Sequence, residues 1–508
     1  MKNNKLLLLC VLFIGVFSSA TYWIGFYSNG NKENYSNSNW QNIEFLLDHL
    51  MENYVDSIDR NELTQKSITN LLKELDPHST YIPSNKRVSV NESLVGHFGG
   101  IGIRFMILRD TLTVVDVING GPSYISGLQK RDRIIKIDNQ NVAGIGLTNQ
   151  MVLKKLKGEV GSKVSLSIFK PNKTTINKVL QRGLIPLKSI AAASMIKNDI
   201  GYIKLSTFSN STDIEFKNAL STLIENGMEK LILDLRFNGG GYLHQAINVA
   251  DEFLEKSKLI VYTNGAHSSK RTFYATNKGL FEKGELVILV NSGTASASEI
   301  VSGAIQDHKR GLIIGRRTFG KGLVQQPVLL PDSSELRITT SRYYTPLGKC
   351  IQKPYGDSID YDNDIIERLE NGELTYNDTL KDKKFSEGGI LPDIFSSIDT
   401  LEYLQIVSKI SFTRNWRDFC FDFYEKNPAK PFEKLKDFYE DFEVQKSIFK
   451  LYFIENKIDL NELDDQVTKD LRWSLMLELC SYYYDDQARY ILNSFKDKDV
   501  EKALIELE

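Results

Sequence analysis

Ile43, Leu46, Leu47, Leu50, Met51 and Tyr54 recur three and four residues apart in an otherwise polar stretch, the spacing of one apolar helix face. The pattern stops at LDPHSTYI (75–82), where Pro77 cannot continue a helix. Between residues 96 and 183 the rhythm shortens to β-rich runs, GIGIRFMI, LTVVDVI, DRIIKID and KVSLSIF, separated by glycines and polar turns. This predicts a compact β-rich module. From Gly201 the pattern turns α/β. GYIKLSTF reads as a strand, Thr212 and Glu215 as a capping box, and Gly227 as the close of the helix between them. LILDLR (231–236), LVILV (286–290) and GLIIG (311–315) carry apolar residues without polar alternation, as strands buried on both faces do. Helices are predicted between them, one with Leu243, Ile247, Ala250 and Leu254 on a single face and one running through Ile305. Alternation of this kind predicts a layered, largely parallel α/β domain. Beyond residue 398 the chain is aromatic, charged and helical, with Leu471, Leu475 and Leu479 every four residues, and its pattern carries no legible function.

The N-terminus has its own pattern. Lys2 and Lys5 precede an uncharged, mostly apolar run from Leu6 to about Phe26. At ~1.5 Å per residue a helix of that length crosses a ~30 Å hydrocarbon core. Ser18 and Ala20 also form a small-x-small cleavage site, so the run reads as a membrane anchor or as a signal peptide. Either reading predicts export. The expected organisation is 1–27 signal peptide or membrane anchor, 28–95 N-terminal helical region, 96–183 β-rich module, 184–397 α/β core and 398–508 helical C-terminal region.

Composition narrows the function classes. The 508 residues are 41% hydrophobic and 25% charged, ordinary globular values, and a net charge of −2 offers no basis for a nucleic-acid surface. With Cys10 in the apolar segment, Cys350, Cys420 and Cys480 form no disulfide framework. A Cys420–Cys480 bridge or buried thiols are the two readings, and no CxxC or HExxH spacing points to a metal.

Candidate chemistry gathers in three loops of the α/β region. NSGTASASEI (291–300) sets Ser292, Thr294, Ser296 and Ser298 at a strand-to-helix turn, where free N–H groups and the helix dipole suit a developing oxyanion. The same hydroxyls are also ordinary caps. A serine nucleophile needs a base. His308 reads as a solvated helix end beside Lys309 and Arg310, and His244 has no Asp at a recognisable spacing. A lysine serves if burial lowers its pKa from ~10.4 towards ~7–8. RTFGKGLVQQ (317–326) offers Lys321 between two glycines, with Phe319, Leu323 and Val324 as apolar neighbours and Gln325 to orient an amine. DLRFNGGG again ends a buried strand in a glycine turn whose amides suit an oxyanion hole.

These segments, taken in order, resemble the C-terminal processing peptidases, or tail-specific proteases, which are Ser/Lys serine proteases. LDPHSTYI resembles the family's N-terminal helical motif. GGIGIRF and GGPSYISGLQKRDRIIKIDNQNV resemble its PDZ domain. DLRFNGGGYL, NSGTASASEI, RRTFGKGLVQQ, RYYTPLGKCIQ and GGILPDI resemble its core motifs, so the likeness spans about residues 40 to 397. It implies an α/β multidomain fold: a layered crotonase/ClpP-like protease core with an inserted β-rich PDZ domain and helical N- and C-terminal regions. It further implies Ser296 as nucleophile, Lys321 as base and Gln325 as its support. The oxyanion hole would come from the amides of Ala297 and Gly240, with Gly241 as the alternative glycine because FNGGG replaces a proline-containing turn. Gly100, Ile101, Gly102 and Ile103 would bind a substrate's C-terminal carboxylate. No metal or cofactor is implied. The expected partners are proteins or peptides with apolar C-termini, the membrane through the N-terminal segment, an activating or adaptor protein and a homo-oligomer. The expected location is the periplasmic side of the inner membrane. Two other readings use the same residues: a latent PDZ adaptor whose protease domain needs a partner, and acyl-thioester chemistry on a crotonase-like core.

Overall fold

The computed structural model describes residues 38–356, 361, 363–370, 372–374, 388–397, 407–411, 413–430, 432, 434–440, 443–456 and 463–508. The apolar segment 6–26 and Cys10 lie outside these residues. Among the described residues no helix is long and apolar enough to cross a membrane. The chain divides into two compact units, Met1–Leu71 and Leu72–Glu508. In the first, Ser38–Asn53 is the helix that the apolar spacing predicts, but Ile43, Leu46 and Met51 on its apolar face are exposed.

Early in the second unit, Asp76 stops the helical path. Its carboxylate accepts the amides of His78 and Ser79 at 2.8 Å each and the Ser79 hydroxyl at 2.7 Å. Such a self-contained polar turn competes with helix. Thr80–Ile82 is therefore a strand and not part of a helical region, and it pairs antiparallel with the long strand Glu335–Tyr344. Glu335–Tyr344 also pairs with Leu259–Gly265 and Leu323–Leu329.

The main sheet has six strands in the order Ile190–Met195, Ile200–Leu205, Lys230–Asp234, Glu285–Val290, Leu312–Gly315, Ile394–Phe395. All neighbours are parallel except the first pair. Side chains alternate across a strand, and here both faces are covered. Leu231, Leu233, Leu286, Ile288 and Ile313 face one core, shared with the helices Thr212–Glu225, Leu243–Asp251 and Ala297–Asp307. Ile232, Val287, Leu289 and Ile314 face a second, closed by Val500, Ala503 and Leu507 of the last helix, Lys498–Leu507. Burial on both sides, at roughly 1.5–3 kcal/mol per large aliphatic side chain, accounts for the unbroken apolar runs. The helix Thr212–Glu225 starts one residue earlier than its sequence signal: Ser211 is the cap, and its hydroxyl bonds Glu215 at 2.6 Å. Gly227 closes it at φ +89°.

Residues 103–181 form an antiparallel meander of Ile103–Leu108, Thr111–Val117, Arg133–Ile137, Lys163–Phe169 and Thr175–Gln181, with the helix Asn149–Leu156. Ile103–Leu108 is an edge strand. The chain enters and leaves the meander through one two-stranded ribbon, His97–Gly100 paired with Gly183–Pro186, as an inserted module requires. The C-terminal helices pack around Trp416, Phe421, Tyr452 and Leu471. Cys350, Cys420 and Cys480 are all free thiols. Cys420 and Cys480 are buried, and burial pushes the Cys480 thiol up to about 12.

Candidate functional site

The three loops singled out in the sequence follow three neighbouring parallel strands. The glycine turn follows Lys230–Asp234, the serine turn follows Glu285–Val290, and the lysine loop follows Leu312–Gly315. Parallel register brings their carboxyl ends together, where open α/β sheets place their ligand sites.

The glycine turn is anchored from below. Asp234 accepts Tyr202 Oη at 2.8 Å, Lys204 Nζ at 2.9 Å and the Arg236 guanidinium at 2.6 and 3.1 Å. Burial alone would raise its pKa, but Arg236 and Lys204 hold the carboxyl well below the usual carboxylate range. Asn238, fully buried, then ties this turn to the serine turn. Its carbonyl accepts the Ala295 amide at 3.0 Å and the Ser298 hydroxyl at 2.9 Å, and its Oδ1 accepts the Gly240 amide at 2.9 Å. Thr294 Oγ1 donates to the Leu235 carbonyl at 2.9 Å. Ser298 and Thr294 are thus structural hydroxyls. Gly240 sits at φ +95° so close to the serine turn that a Cβ there would lie 2.8 Å from Ser296 Cβ and 2.9 Å from the Ala297 nitrogen.

Ser296 itself adopts φ 57° and ψ −115°, a backbone costing of order 1–3 kcal/mol that persists only where its surroundings impose it. Glu299 and Tyr343 supply the constraint. The Glu299 carboxylate, wholly buried, accepts the amides of Ser296 (2.7 Å), Gly320 (2.7 Å) and Lys321 (2.9 Å) and the Thr318 hydroxyl (2.5 Å). Burial pushes its pKa up while those four donors pull it down, and the balance is raised. The Tyr343 hydroxyl donates to the Ser296 carbonyl at 3.0 Å and the Lys321 carbonyl at 2.5 Å. Neither residue was singled out in the sequence. The E of TASASE was legible there as a third-position helix acid, but its partners in the lysine loop were not.

The Lys321 amine donates to Gln325 Oε1 at 3.1 Å, and Gln325 Nε2 donates to the His78 carbonyl. The second bond fixes the amide's orientation, so an acceptor and not a donor faces Lys321. Burial lowers the Lys321 pKa below its ordinary value, with Arg337 adding to the effect and Asp76 and Glu299 opposing it. His78 lies in the same polar cluster; burial and the nearby Lys321 lower its pKa to about 4. Ser296 and Lys321 line one groove of about 1410 Å³ together with Ala297, Gly239–Gly241, Gln325 and, from the meander side, Phe98, Val160 and Leu184. Among the described residues Ser296 Oγ makes no hydrogen bond to Lys321, and the amides of Ala297 and Gly241 have no acceptor. The Gly240 amide, by contrast, is occupied by Asn238.

No histidine completes the serine turn. His308 is the helix end that the sequence suggested, half-buried, with its Nε2 2.7 Å from the Leu259 carbonyl. His244 lies in a tilted ring contact with Tyr242, and its Nε2 is 3.3 Å from Gln245 Nε2. Among the described residues no group of three or more His, Cys, Asp or Glu is placed to hold a metal ion. In the meander, the loop Gly100–Ile103 turns at Gly102 (φ +75°), and the Ile101 and Gly102 amides have no acceptor among the described residues.

Comparison with known proteins places the chain in a family. The sequence model of Peptidase family S41 matches residues 199–364, and that of the PDZ domain matches residues 99–179. A carboxy-terminal-processing protease of Bartonella bacilliformis is 34% identical over 315 residues, covering 60% of this chain and 71% of that protein. The carboxy-terminal processing protease CtpA of Bacillus subtilis is 31% identical over 358 residues, covering 70% and 76%. A solved photosystem II D1 C-terminal processing protease shares 28% identity over 70% of this chain and 86% of its own, at a TM-score of 0.38. With two relatives above 30% identity matched over most of their length, the chain belongs to peptidase family S41, the family of these carboxy-terminal-processing serine proteases, and carries a PDZ domain.

Proposed function

We propose that Ser296 is the nucleophile and Lys321 its general base in an endopeptidase that cuts proteins near apolar C-termini. One observation carries the reading: a buried lysine amine, held by an oriented glutamine, shares a groove with a serine in a constrained backbone, and one carboxylate ties both loops together. A neutral Lys321 gives one N–H to Gln325 and keeps its lone pair for the Ser296 proton. Ser296 Oγ then attacks the peptide carbonyl, the amine passes the proton to the leaving nitrogen, and water hydrolyses the acyl-enzyme. The oxyanion falls to the Ala297 amide and one amide of the glycine turn. Motif order favours Gly240 and the free N–H favours Gly241. Each such donor is worth about 2.7–4 kcal/mol in the transition state. Catalytic hydrogen bonds are often long before substrate arrives, and a bound peptide would close the gap between Ser296 and Lys321.

In this reading the free amides of the Gly100–Ile103 loop take the substrate's carboxylate, and the edge strand Ile103–Leu108 accepts its backbone as an added strand. The core is of the layered crotonase/ClpP type, with the domain limits read from the sequence except that Thr80–Ile82 adds a strand to the core. The apolar segment 6–26 directs the chain to the cell envelope, on the periplasmic side of the inner membrane, as anchor or signal peptide.

The test is mass spectrometry of fragments from an unstructured protein ending in small apolar residues, incubated with the full chain and with Ser296→Ala. Cleavage by wild type alone is expected; equal cleavage by both would remove Ser296 from the mechanism.

A further inference from the structure

Among the described residues the helices beyond residue 413 do not line the groove, yet they grip the structures on either side of it. One grip is on the PDZ sheet. Along Ile103–Leu108 the side chains alternate: Ile103, Phe105 and Ile107 face the module's own core, whereas Met106 and Leu108 join the aromatic cluster of the C-terminal helices. Four arginines surround that apolar patch. Arg104 pairs with Asp486 and donates to the Ser481 carbonyl at 2.8 Å; Arg109 pairs with Asp422. Arg131 donates to the Glu425 carbonyl at 3.1 Å, and Arg133 to both Glu425 carboxylate oxygens at 3.1 Å.

The other grip is on the catalytic sheet. Asp497 and Asp499, at the start of the last helix, accept Arg236 Nη1 at 2.7, 2.9 and 2.9 Å. Arg236 leads directly into the glycine turn. Asp499 also accepts Arg316 Nη2 at 3.0 Å. The module's covalent attachment, by contrast, is the single ribbon His97–Gly100 and Gly183–Pro186, a natural hinge, although module residues form one wall of the catalytic groove.

We propose that the described C-terminal helices, from Arg414–Lys426 to Lys498–Leu507, are a brace that holds the PDZ module in the position where its bound tail leads into the groove. The brace is a property of packing and charge pairing; only its kinetic readout rests on the tail-binding reading above. Strand face, apolar patch and ionic rim are all spent on one contact, and the same segment closes the second face of the catalytic sheet. Moving the module therefore means breaking this contact.

The experiment uses the full chain in three forms beside wild type: Arg104→Glu with Arg133→Glu, Glu425→Arg with Asp486→Arg, and all four together. Hydrogen exchange across Ile103–Val117 reads the contact itself. Cleavage of one peptide with a free or an amidated C-terminus reads its consequence. Each two-residue reversal is expected to speed exchange in that strand pair and to lower kcat/KM for the free-tail peptide roughly tenfold, leaving the amidated peptide unchanged. The fourfold swap restores the pairs with opposite polarity and should recover both readouts. Unchanged exchange in the reversals, no recovery in the swap, or faster free-tail cleavage in the reversals would each overturn the brace. If wild type itself ignores the tail, the tail-binding reading fails and exchange alone decides.

Discussion

Replacing Glu299 with glutamine is the sharpest perturbation the site allows, because it changes one atom and one charge without changing shape. The native carboxylate meets four donors, two on each oxygen: Thr318 Oγ1 and the Gly320 amide on Oε1, and the Ser296 and Lys321 amides on Oε2. A glutamine side chain accepts on one oxygen only, so two donors face an NH2 group in a fully buried position. An unpaired buried donor costs about 1–3 kcal/mol, which gives a loss of roughly 2–6 kcal/mol unless a loop moves. Whichever pair is lost, either the serine turn or the lysine loop is released. A displacement of the order of 1 Å between reacting groups costs about 10²-fold in rate, so kcat should fall by about that factor with KM little changed. The pH profile separates position from charge. Lys321 is faced by Arg337, Asp76, Glu299 and His78, and Glu299 is one of two carboxylates favouring its charged form. Removing that charge favours the neutral amine, so the acid limb of kcat/KM should move to lower pH. Thermal unfolding together with a pH series on a tail-bearing peptide measures all three effects. A Glu299→Gln protein with wild-type Tm, kcat and acid limb would refute the clamp.

Four further expectations rest on the same geometry. Gly240→Ala must place a Cβ 2.8 Å from Ser296 Cβ at φ +95°, a conformation costing a non-glycine residue about 1–2 kcal/mol before any clash; turnover should drop at least tenfold in a folded protein, as circular dichroism and peptide cleavage would report. In wild type, activity should fall on acidification as Lys321 takes a proton, and burial places that limb below the range of an ordinary lysine; Lys321→Ala should abolish turnover without unfolding the chain, and a folded variant that still cleaves would remove the lysine from the mechanism. Amidating a substrate's C-terminus should weaken its binding, measured by calorimetry on the Ser296→Ala protein, whereas equal affinity would exclude the Gly100–Ile103 loop as a carboxylate site.

Local pattern was enough to make much of this legible. Strands such as LILDLR and LVILV announced their burial because two covered faces demand unbroken apolar runs, and the glycine turns announced themselves by residues that tolerate left-handed backbone. The serine turn and the lysine loop stood out by residue type and short spacing, but Ser296 was separated from Ser292, Thr294 and Ser298, and Lys321 and Gln325 were given their roles, only through the family resemblance. Contacts between distant segments were not readable. Nothing near residue 78 signals that its carbonyl orients Gln325, some 250 residues on. LILDLR predicts a second covered face but not that the cover is Val500, Ala503 and Leu507. Glu299, Asn238 and Tyr343 look like a helix-start acid, a turn residue and a strand aromatic; parallel strand order makes the first two ties between the serine, glycine and lysine loops, and Tyr343 reaches the serine and lysine loops from the antiparallel strand Glu335–Tyr344 of the other sheet. Periodicity and propensity act over a few residues, so the sequence alone determined the elements and the kind of chemistry. Which loops share a groove, which amides are already occupied and where the PDZ sheet is gripped depend on segments hundreds of residues apart packing together, and only the tertiary structure decides that.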